Sequence, residues 1–151
     1  MRKADPALGI FLSRVWKASV INSYMSGIEW IVEAHGCSPQ ALQNVAIFQD
    51  LFQALIQDVG LQPVGETVWH KFPDPGGITG MCLLSESHLT CHTFPEFGSL
   101  CLNLFCCRAR AEWDFQSQLR RRVGAQTLTV RRLERPYARN LLEVAAARST
   151  A

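Results

Sequence analysis

The sequence predicts an α+β two-layer sandwich, in which two helices cover one face of a mostly antiparallel β-sheet. Three observations lead to this fold. Apolar and polar residues alternate in several short stretches, and a helical period occurs in two longer ones. The order along the chain is strand, helix, several strands, helix, strand. Because two helices can cover only one face of the sheet, we expect two copies to dimerise sheet on sheet.

The first strand and the first helix have the clearest patterns. Residues 28–34 alternate between apolar and mostly acidic side chains, the period of a half-buried strand. Ser38 and Pro39 are typical of the first residues of a helix. Apolar residues then recur at three- and four-residue steps up to Gly60, a typical C-terminal cap. We therefore predict one continuous amphipathic helix from Ser38 to Gly60.

Shorter elements account for most of the remaining chain. Strands are predicted over residues 64–72, 78–84, 89–94, 100–107 and 126–132, and helices over residues 112–123 and 137–148. The prolines and glycines of residues 73–77 exclude regular structure there, because they break both kinds of backbone ladder. Pro95 to Gly98 is predicted to be the turn between two of the strands.

Composition restricts the class of protein. A chain of 151 residues, 48% apolar and 19% charged, is typical of one soluble globular domain. No apolar run reaches the roughly 20 residues that a membrane span requires, so no membrane partner is expected. Arg14 and Lys17 interrupt the apolar N-terminal stretch, and no cleavage site for an export signal follows. Six cysteines without an export signal favour reduced thiols in the cytoplasm.

Charge is distributed unevenly along the chain. Residues 1–107 carry a net charge of −4, whereas residues 108–151 carry +6 and contain ten arginines. A basic segment can bind nucleic acid. No aromatic residues are interleaved with these arginines as in known nucleic-acid motifs, so we favour a solvated surface and expect no nucleic-acid partner.

Reactive side chains are concentrated in residues 85–107. His88 and His92 suggest a metal site, but four residues along a strand separate them by about 13 Å. Cys106 and Cys107 are adjacent and would point to opposite faces, and the paired Cys-x-x-Cys of zinc sites is missing. No local signature of a cysteine protease is present either. We predict no metal at this cluster.

A longer motif in the same segment resembles a known family. It reads Glu86-Ser87-His88-Leu89-Thr90-x-His92-Thr93-Phe94-Pro95-Glu96-Phe97-Gly98, followed by Phe105-x-Cys107, with Gly77-Ile78-Thr79-Gly80 and Gly36-Cys37 upstream. These residues resemble the small bacterial and archaeal S-adenosylmethionine decarboxylase proenzymes. The resemblance covers roughly residues 28–132, which leaves residues 1–27 as an N-terminal extension and residues 133–151 as a C-terminal tail.

This resemblance implies an enzyme that makes its own cofactor. The bond between Glu86 and Ser87 would cleave itself, and Ser87 would become a covalent pyruvoyl group at the start of residues 87–151. That group would form a Schiff base with the substrate amine and accept the electrons released with CO₂. The implied reaction decarboxylates S-adenosylmethionine and supplies the aminopropyl donor for spermidine synthesis.

The resemblance also implies roles for further residues. His92 matches the base of the elimination step, and Thr79 stands where the family has a serine that holds the cleavage intermediate. Cys107 matches the acid that protonates the product. Phe72 would stack on adenine and Glu96 would hold the ribose. Glu86 would also contact substrate.

Because the family's sites lie between two sheets, each site is expected to mix two protomers of a homodimer. One protomer would supply Glu86, Ser87 and Cys107, and its partner Phe72, Thr79, His92 and Glu96.

Several positions depart from the family pattern. Ala34 and Ser38 stand where an aromatic ring and an acid are usual, Asn103 replaces an aspartate, and Arg108 replaces a glycine. Two alternatives therefore stay open at this point. The same self-processed scaffold could decarboxylate ornithine or arginine, or the chain could be an inactive paralogue that activates a true decarboxylase.

Overall fold

Residues 26–136, the part of the chain that the computed structural model describes, form a six-stranded sheet with helices packed on one side. The strands are β1 (Ser26–His35), β2 (Val68–Lys71), β3 (Ile78–Leu84), β4 (Ser87–Phe94), β5 (Ser99–Cys106) and β6 (Thr127–Pro136). Their order across the sheet is β2-β3-β4-β5-β1-β6, and every neighbouring pair is antiparallel. The predicted α+β class is confirmed. Of the N-terminal extension predicted over residues 1–27, residues 1–25 lie outside the described residues, as does the helix predicted over residues 137–148, whereas residues 26 and 27 begin β1.

The first helical region differs from its prediction, because it consists of two helices. They are α1 (Pro39–Leu42) and α2 (Val45–Val59), with Ser38 and Asn44 as their respective N-caps. Asn44 has an extended backbone, and its side chain accepts a hydrogen bond from the Ala46 N–H at 3.1 Å, which starts a new helix. Leu42 and Phe48 are both fully buried on either side of the break, so the apolar period hides it. Gly60 is the predicted left-handed C-cap.

Other boundaries shift at the ends of elements. The strand predicted over residues 64–72 is only four residues long and lies at the sheet edge, where Trp69 packs inward against Phe52 at 4.9 Å between ring centroids. Helix α3 (Phe115–Val123) begins three residues later than predicted, because Asp114 caps it through the Ser117 N–H. Strand β6 continues to Pro136, four residues beyond its predicted end, since it pairs with β1 along its whole length.

The core lies between the sheet and the helices. Side chains of one parity on each strand, such as Trp30 on β1 and Leu104 on β5, are buried against Phe48, Phe52 and Phe115 of the helices. The opposite parity forms the outer face of the sheet, which no helix of residues 26–136 covers. This outer face carries Glu29, Thr79, Met81, Leu83, His88, His92, Asn103, Phe105, Leu133 and Arg135.

The longest helix within residues 26–136, α2, has 15 residues. Within residues 26–136, no helix is long and apolar enough to cross a membrane.

Candidate active site

The tight turn between β3 and β4 places Ser87 in a strained conformation. Leu84 and Ser87 are paired across the two strands, so Ser85 and Glu86 form a two-residue hairpin turn. Ser87 has a φ of 153°, and it is the one non-glycine residue of positive φ within residues 26–136. Such a backbone costs about 1–3 kcal/mol and persists only where the surrounding structure enforces it. The strained residue directly follows the bond between Glu86 and Ser87, which is predicted from the sequence to be cut.

The carbonyl group before Ser87 is held by the neighbouring strand. Ser87 is paired with Cys106 of β5, and the next backbone N–H, that of Cys107, donates a hydrogen bond to the Glu86 carbonyl oxygen at 2.9 Å. A backbone N–H in this position polarises a carbonyl and stabilises negative charge that develops on its oxygen. Glu86, Ser87 and Cys107, which were assigned to one protomer from sequence, are therefore brought together within one chain.

The side chain of Glu86 is fixed by Arg110, in the loop after β5. Arg110 Nε donates to Glu86 Oε2 at 2.9 Å, and a second guanidinium nitrogen pairs with Oε1. The hydrogen bonds from Arg110 lower the pKa of the Glu86 carboxyl, and they outweigh the effect of its burial. The carboxylate therefore stays ionised. Glu86 is held at its carbonyl by Cys107 and at its side chain by Arg110.

We expect Arg110→Met to destabilise the protein in a pH-dependent way. Because the folded pKa of Glu86 is depressed below its ordinary 4.5, the pair stabilises the folded state fully above that pH, and this contribution disappears on acidification through the lowered value. In urea unfolding, the free energies of the variant and its parent, both carrying Ser87→Ala to prevent cleavage, should differ at pH 7 and differ less at pH 3, below the ordinary pKa of 4.5. Arg120→Met, which changes an exposed arginine on α3, is the matched control. An equal difference at both pH values would contradict an ionic role for the pair.

A second group of side chains lies on the outer face at the other end of β3 and β4. Thr79 and His92 are cross-strand partners, and Thr79 Oγ1 is 2.6 Å from His92 Nδ1. Phe72 meets the His92 ring edge-on with centroids 5.6 Å apart, and Phe94 lies 4.5 Å from it. Phe72 is 42% exposed, so one side of its ring is available to a ligand. Glu96 follows as an exposed residue of a 3₁₀ turn (Pro95–Phe97) that begins at the buried Pro95.

These two groups do not meet within one chain. Ser87 and His92 are five residues apart on the same extended strand, a separation of about 16 Å. A histidine at that distance cannot take a proton from Ser87 of its own chain.

Two neighbouring thiols differ sharply in their surroundings. Cys106 is fully buried on the helix side of the sheet, and burial raises its pKa to about 11. Cys107 is only partly buried, next to the strained turn. Cys106 is therefore part of the core packing. The six cysteines, which all lie within residues 26–136, form no disulfide bond with one another.

The departures from the family pattern fall in different places. Ala34 is fully buried on the helix side, and Ser38 caps α1 by accepting from the Ala41 N–H at 3.3 Å. An aromatic ring at position 34 would lie in the core, where it could not contact a ligand on the outer face. Its absence therefore removes no contact with such a ligand. Asn103, in contrast, lies on the outer face, where its amide contacts His88 and Glu29.

Two residues beside Ser87 were not predicted from the sequence to belong to the site. Arg110 lies in an irregular loop, where no periodic signal could reveal its contact with Glu86. His88 Nδ1 is 3.2 Å from Ser87 Oγ, and the alternation of β4 could have placed it on the outer face beside His92. Its contacts depend on strand register, which a single sequence does not provide.

Three arginines of the basic segment, residues 108–151, pair with acids earlier in the chain, and Arg110 with Glu86 is one of these pairs. Arg131 pairs with Glu33, and Arg135 with Glu29, across the β1–β6 edge. Within residues 26–136, no group of three or more histidine, cysteine or acidic side chains is arranged to hold a metal ion.

Comparison with known proteins gives consistent matches. The sequence pattern of the family described as S-adenosylmethionine decarboxylase matches residues 28–136. The S-adenosylmethionine decarboxylase proenzyme of Clostridium kluyveri is 32% identical over 120 residues, covering 77% of this chain and 91% of the relative. The proenzyme of the same name from Caldanaerobacter subterraneus subsp. tengcongensis is 31% identical over 116 residues, covering 76% and 92%.

A solved structure has the same fold. The crystal structure of the adenosylmethionine decarboxylase from Aquifex aeolicus matches with a TM-score of 0.63 and covers 76% of this chain and 94% of its own. At 18% sequence identity, this likeness concerns the fold alone.

Proposed function

The chain belongs to the S-adenosylmethionine decarboxylase family, and from this membership we propose that it decarboxylates S-adenosylmethionine after cutting its own backbone between Glu86 and Ser87. The product is the aminopropyl donor for spermidine synthesis. The observation that carries the proposal for this chain is the strained turn, where Ser87 has a φ of 153° and the Cys107 N–H holds the Glu86 carbonyl. Cleavage there separates residues 1–86 from residues 87–151.

Self-cleavage starts with the Ser87 hydroxyl. Its oxygen attacks the Glu86 carbonyl carbon, the negative charge develops on the oxygen that faces the Cys107 N–H, and the carbon–nitrogen bond then breaks to give an ester. Removal of the Ser87 α-proton expels Glu86 as a carboxylate and leaves dehydroalanine. Tautomerisation and hydrolysis release ammonia and leave a pyruvoyl group at position 87. Release of the φ strain favours the first step.

The surroundings of Ser87 fit this cofactor. A hydroxyl, a polarised carbonyl and a partly buried thiol converge at the turn, and Arg110 holds the departing Glu86 side chain. When present, the pyruvoyl carbonyl takes up the electrons released as CO₂ leaves the substrate. The Cys107 thiol then donates the proton that completes the product.

We infer a homodimer in which the two outer faces pack together. The outer face exposes large apolar side chains, with Met81 56%, Leu83 59% and Leu133 41% exposed. Apolar area left in contact with water favours association. A second copy can also bring the His92 group of one subunit to the Ser87 turn of the other, which the separation of about 16 Å along β4 prevents within one chain.

In this arrangement the substrate lies between the two sheets. The exposed ring of Phe72 supports stacking on adenine, and the exposed carboxylate of Glu96 supports hydrogen bonding to the ribose hydroxyls. Thr79 orients His92 through their hydrogen bond of 2.6 Å, so that His92 can remove the α-proton of Ser87 in the partner subunit. We place the enzyme in the cytoplasm, where its cysteines would stay reduced.

Release of labelled CO₂ tests the substrate directly. The purified, cleaved protein should release it from carboxyl-labelled S-adenosylmethionine and not from ornithine or arginine at the same concentration. Preference for a free amino acid would overturn the substrate assignment. Decarboxylation of a free amino acid is not favoured, because the departures at Ala34 and Ser38 lie on the helix side of the sheet.

A further inference from the structure

A line of hydrogen-bonded side chains crosses the outer face and ends at Ser87. It runs through His88 on β4, Asn103 on β5, Glu29 on β1 and Arg135 on β6. Ser87 and His88 are neighbours in sequence, and each of the other three links joins diagonal neighbours, two residues away from the directly paired position on the next strand. Diagonal pairs are within reach of long side chains. The antiparallel register therefore connects four strands to a single hydroxyl.

From this line we infer that His88 is the base that takes the hydroxyl proton of Ser87 during self-cleavage, and that Asn103 and Glu29 hold it in the tautomer that this step requires. The inference rests on the proposed function, because it concerns the cutting of the Glu86–Ser87 bond. It adds a residue to the first step, the shift of the acyl group from nitrogen to oxygen, whereas His92 was assigned to the later elimination.

The direction of each hydrogen bond follows from chemistry. Burial raises the pKa of Glu29, but hydrogen bonds from Asn103 and Arg135 outweigh it and lower the pKa, so Glu29 is ionised and can only accept. It accepts from Asn103 Nδ2 at 2.8 Å, which turns Asn103 Oδ1 toward His88 Nε2 at 3.2 Å. An amide oxygen only accepts, so Nε2 must carry the proton.

A proton on Nε2 leaves Nδ1 of His88 as the ring nitrogen that can accept a proton. A neutral imidazole protonated on Nε2 has a free electron pair on Nδ1, and His88 Nδ1 lies 3.2 Å from Ser87 Oγ. This is hydrogen-bond reach, the geometric requirement for a general base. His92 cannot replace it within one chain, because it is about 16 Å away along β4 and is bonded to Thr79.

The proposed step conserves atoms and charge. The proton of Ser87 Oγ passes to His88 Nδ1 as the bond forms between Oγ and the carbonyl carbon of Glu86. The electron pair of the carbonyl moves to the oxygen that accepts from the Cys107 N–H. When the carbon–nitrogen bond breaks, the imidazolium returns the proton to the Ser87 nitrogen. The product is the ester, and no external reagent is consumed.

The test compares His88→Gln with His92→Gln and uses hydroxylamine, which cleaves esters but leaves peptide bonds intact. His92→Gln should stop after the shift, so hydroxylamine should split it between residues 86 and 87. His88→Gln should accumulate the uncut peptide before the shift. Its ester formation should be slowed about 10²-fold or more, the usual contribution of a general base. If hydroxylamine splits His88→Gln as readily as His92→Gln, the shift does not need His88 and the inference is wrong.

A pair of variants at Asn103 separates a chemical role from a structural one. Asn103→Leu removes the acceptor that fixes the tautomer, and it should slow ester formation roughly tenfold, within the range for general bases. Asn103→Asp keeps an acceptor oxygen facing Nε2 but loses the donor to Glu29, so it should slow ester formation less than Asn103→Leu does. Equal slowing in both variants would show that the position matters only for packing, which would overturn the tautomer assignment.

A matched control exists in the same sheet. His35 Nδ1 is 3.0 Å from Ser99 Oγ, a similar contact with no bond to be cut beside it, so His35→Gln should cleave at the parental rate. Failure of the proposed function is distinguishable from failure of this inference. An intact parental chain would refute self-cleavage itself, whereas a cleaving parent with an equally fast His88→Gln would refute only the role of His88.

Discussion

We expect Ser87→Ala to remain a single chain of 151 residues under conditions in which the parental protein runs as two. The variant loses the only oxygen that can attack the Glu86 carbonyl from the following residue, so neither the ester nor the pyruvoyl group can form. Decarboxylation should fall below detection for the same reason. A denaturing gel of freshly purified protein, followed by the CO₂-release assay, measures both effects.

Ser85→Ala is the matched control for this experiment. Ser85 is exposed in the same two-residue turn and carries the same hydroxyl, but it lies on the other side of Glu86. This variant should cleave like the parent. Cleavage of Ser87→Ala between residues 86 and 87 would show that another agent cuts the chain, and would refute the proposed mechanism.

Cys107→Ala should separate cofactor formation from turnover. Alanine retains the backbone N–H that holds the Glu86 carbonyl at 2.9 Å, so self-cleavage should proceed. It loses the thiol that protonates the product, and kcat should fall by about 10²–10⁴-fold, the range for a general acid. Gel analysis and steady-state kinetics on the same preparation measure the two effects side by side.

Cys106→Ala provides the comparison on the opposite face. Its thiol is fully buried among core residues, so the change should cost some stability while kcat stays near that of the parent. Loss of cleavage in Cys107→Ala would assign its thiol to processing. If the kcat of Cys107→Ala equalled that of the parent, the Cys107 thiol would have no role in catalysis.

Local patterns in the sequence predicted the sheet well because one face is buried. The alternation in residues 28–34 corresponds to β1, whose residues Trp30 and Val32 are fully buried. The same kind of pattern could not reveal the break between α1 and α2, since the apolar period continues through it. Asn44 was the available signal, as a strong N-cap residue placed directly before an apolar run.

The candidate site was predictable in its motif residues but not in their supports. Family resemblance identified Ser87, His92 and Cys107, whose roles stay predictions. The strain at Ser87 arises from a two-residue turn combined with the pairing to Cys106, and neither is visible in residue types.

Contacts between distant strands were the hardest to predict. His88 meets Asn103 only because β4 and β5 adopt one register, and a shift of one residue would move either side chain to the helix side. The departure at Asn103 was visible in the sequence as a missing aspartate. Its amide joins His88 to Glu29, and this contact cannot be read from the residue types alone.

The mass of the C-terminal chain tests self-processing most directly. For the parental protein, mass spectrometry should find a chain of residues 87–151 that is lighter, by one ammonia, than the same chain beginning with serine. That value corresponds to a pyruvoyl group made from Ser87. An uncut chain, or a fragment that begins with an intact serine and so results from proteolysis, would contradict it.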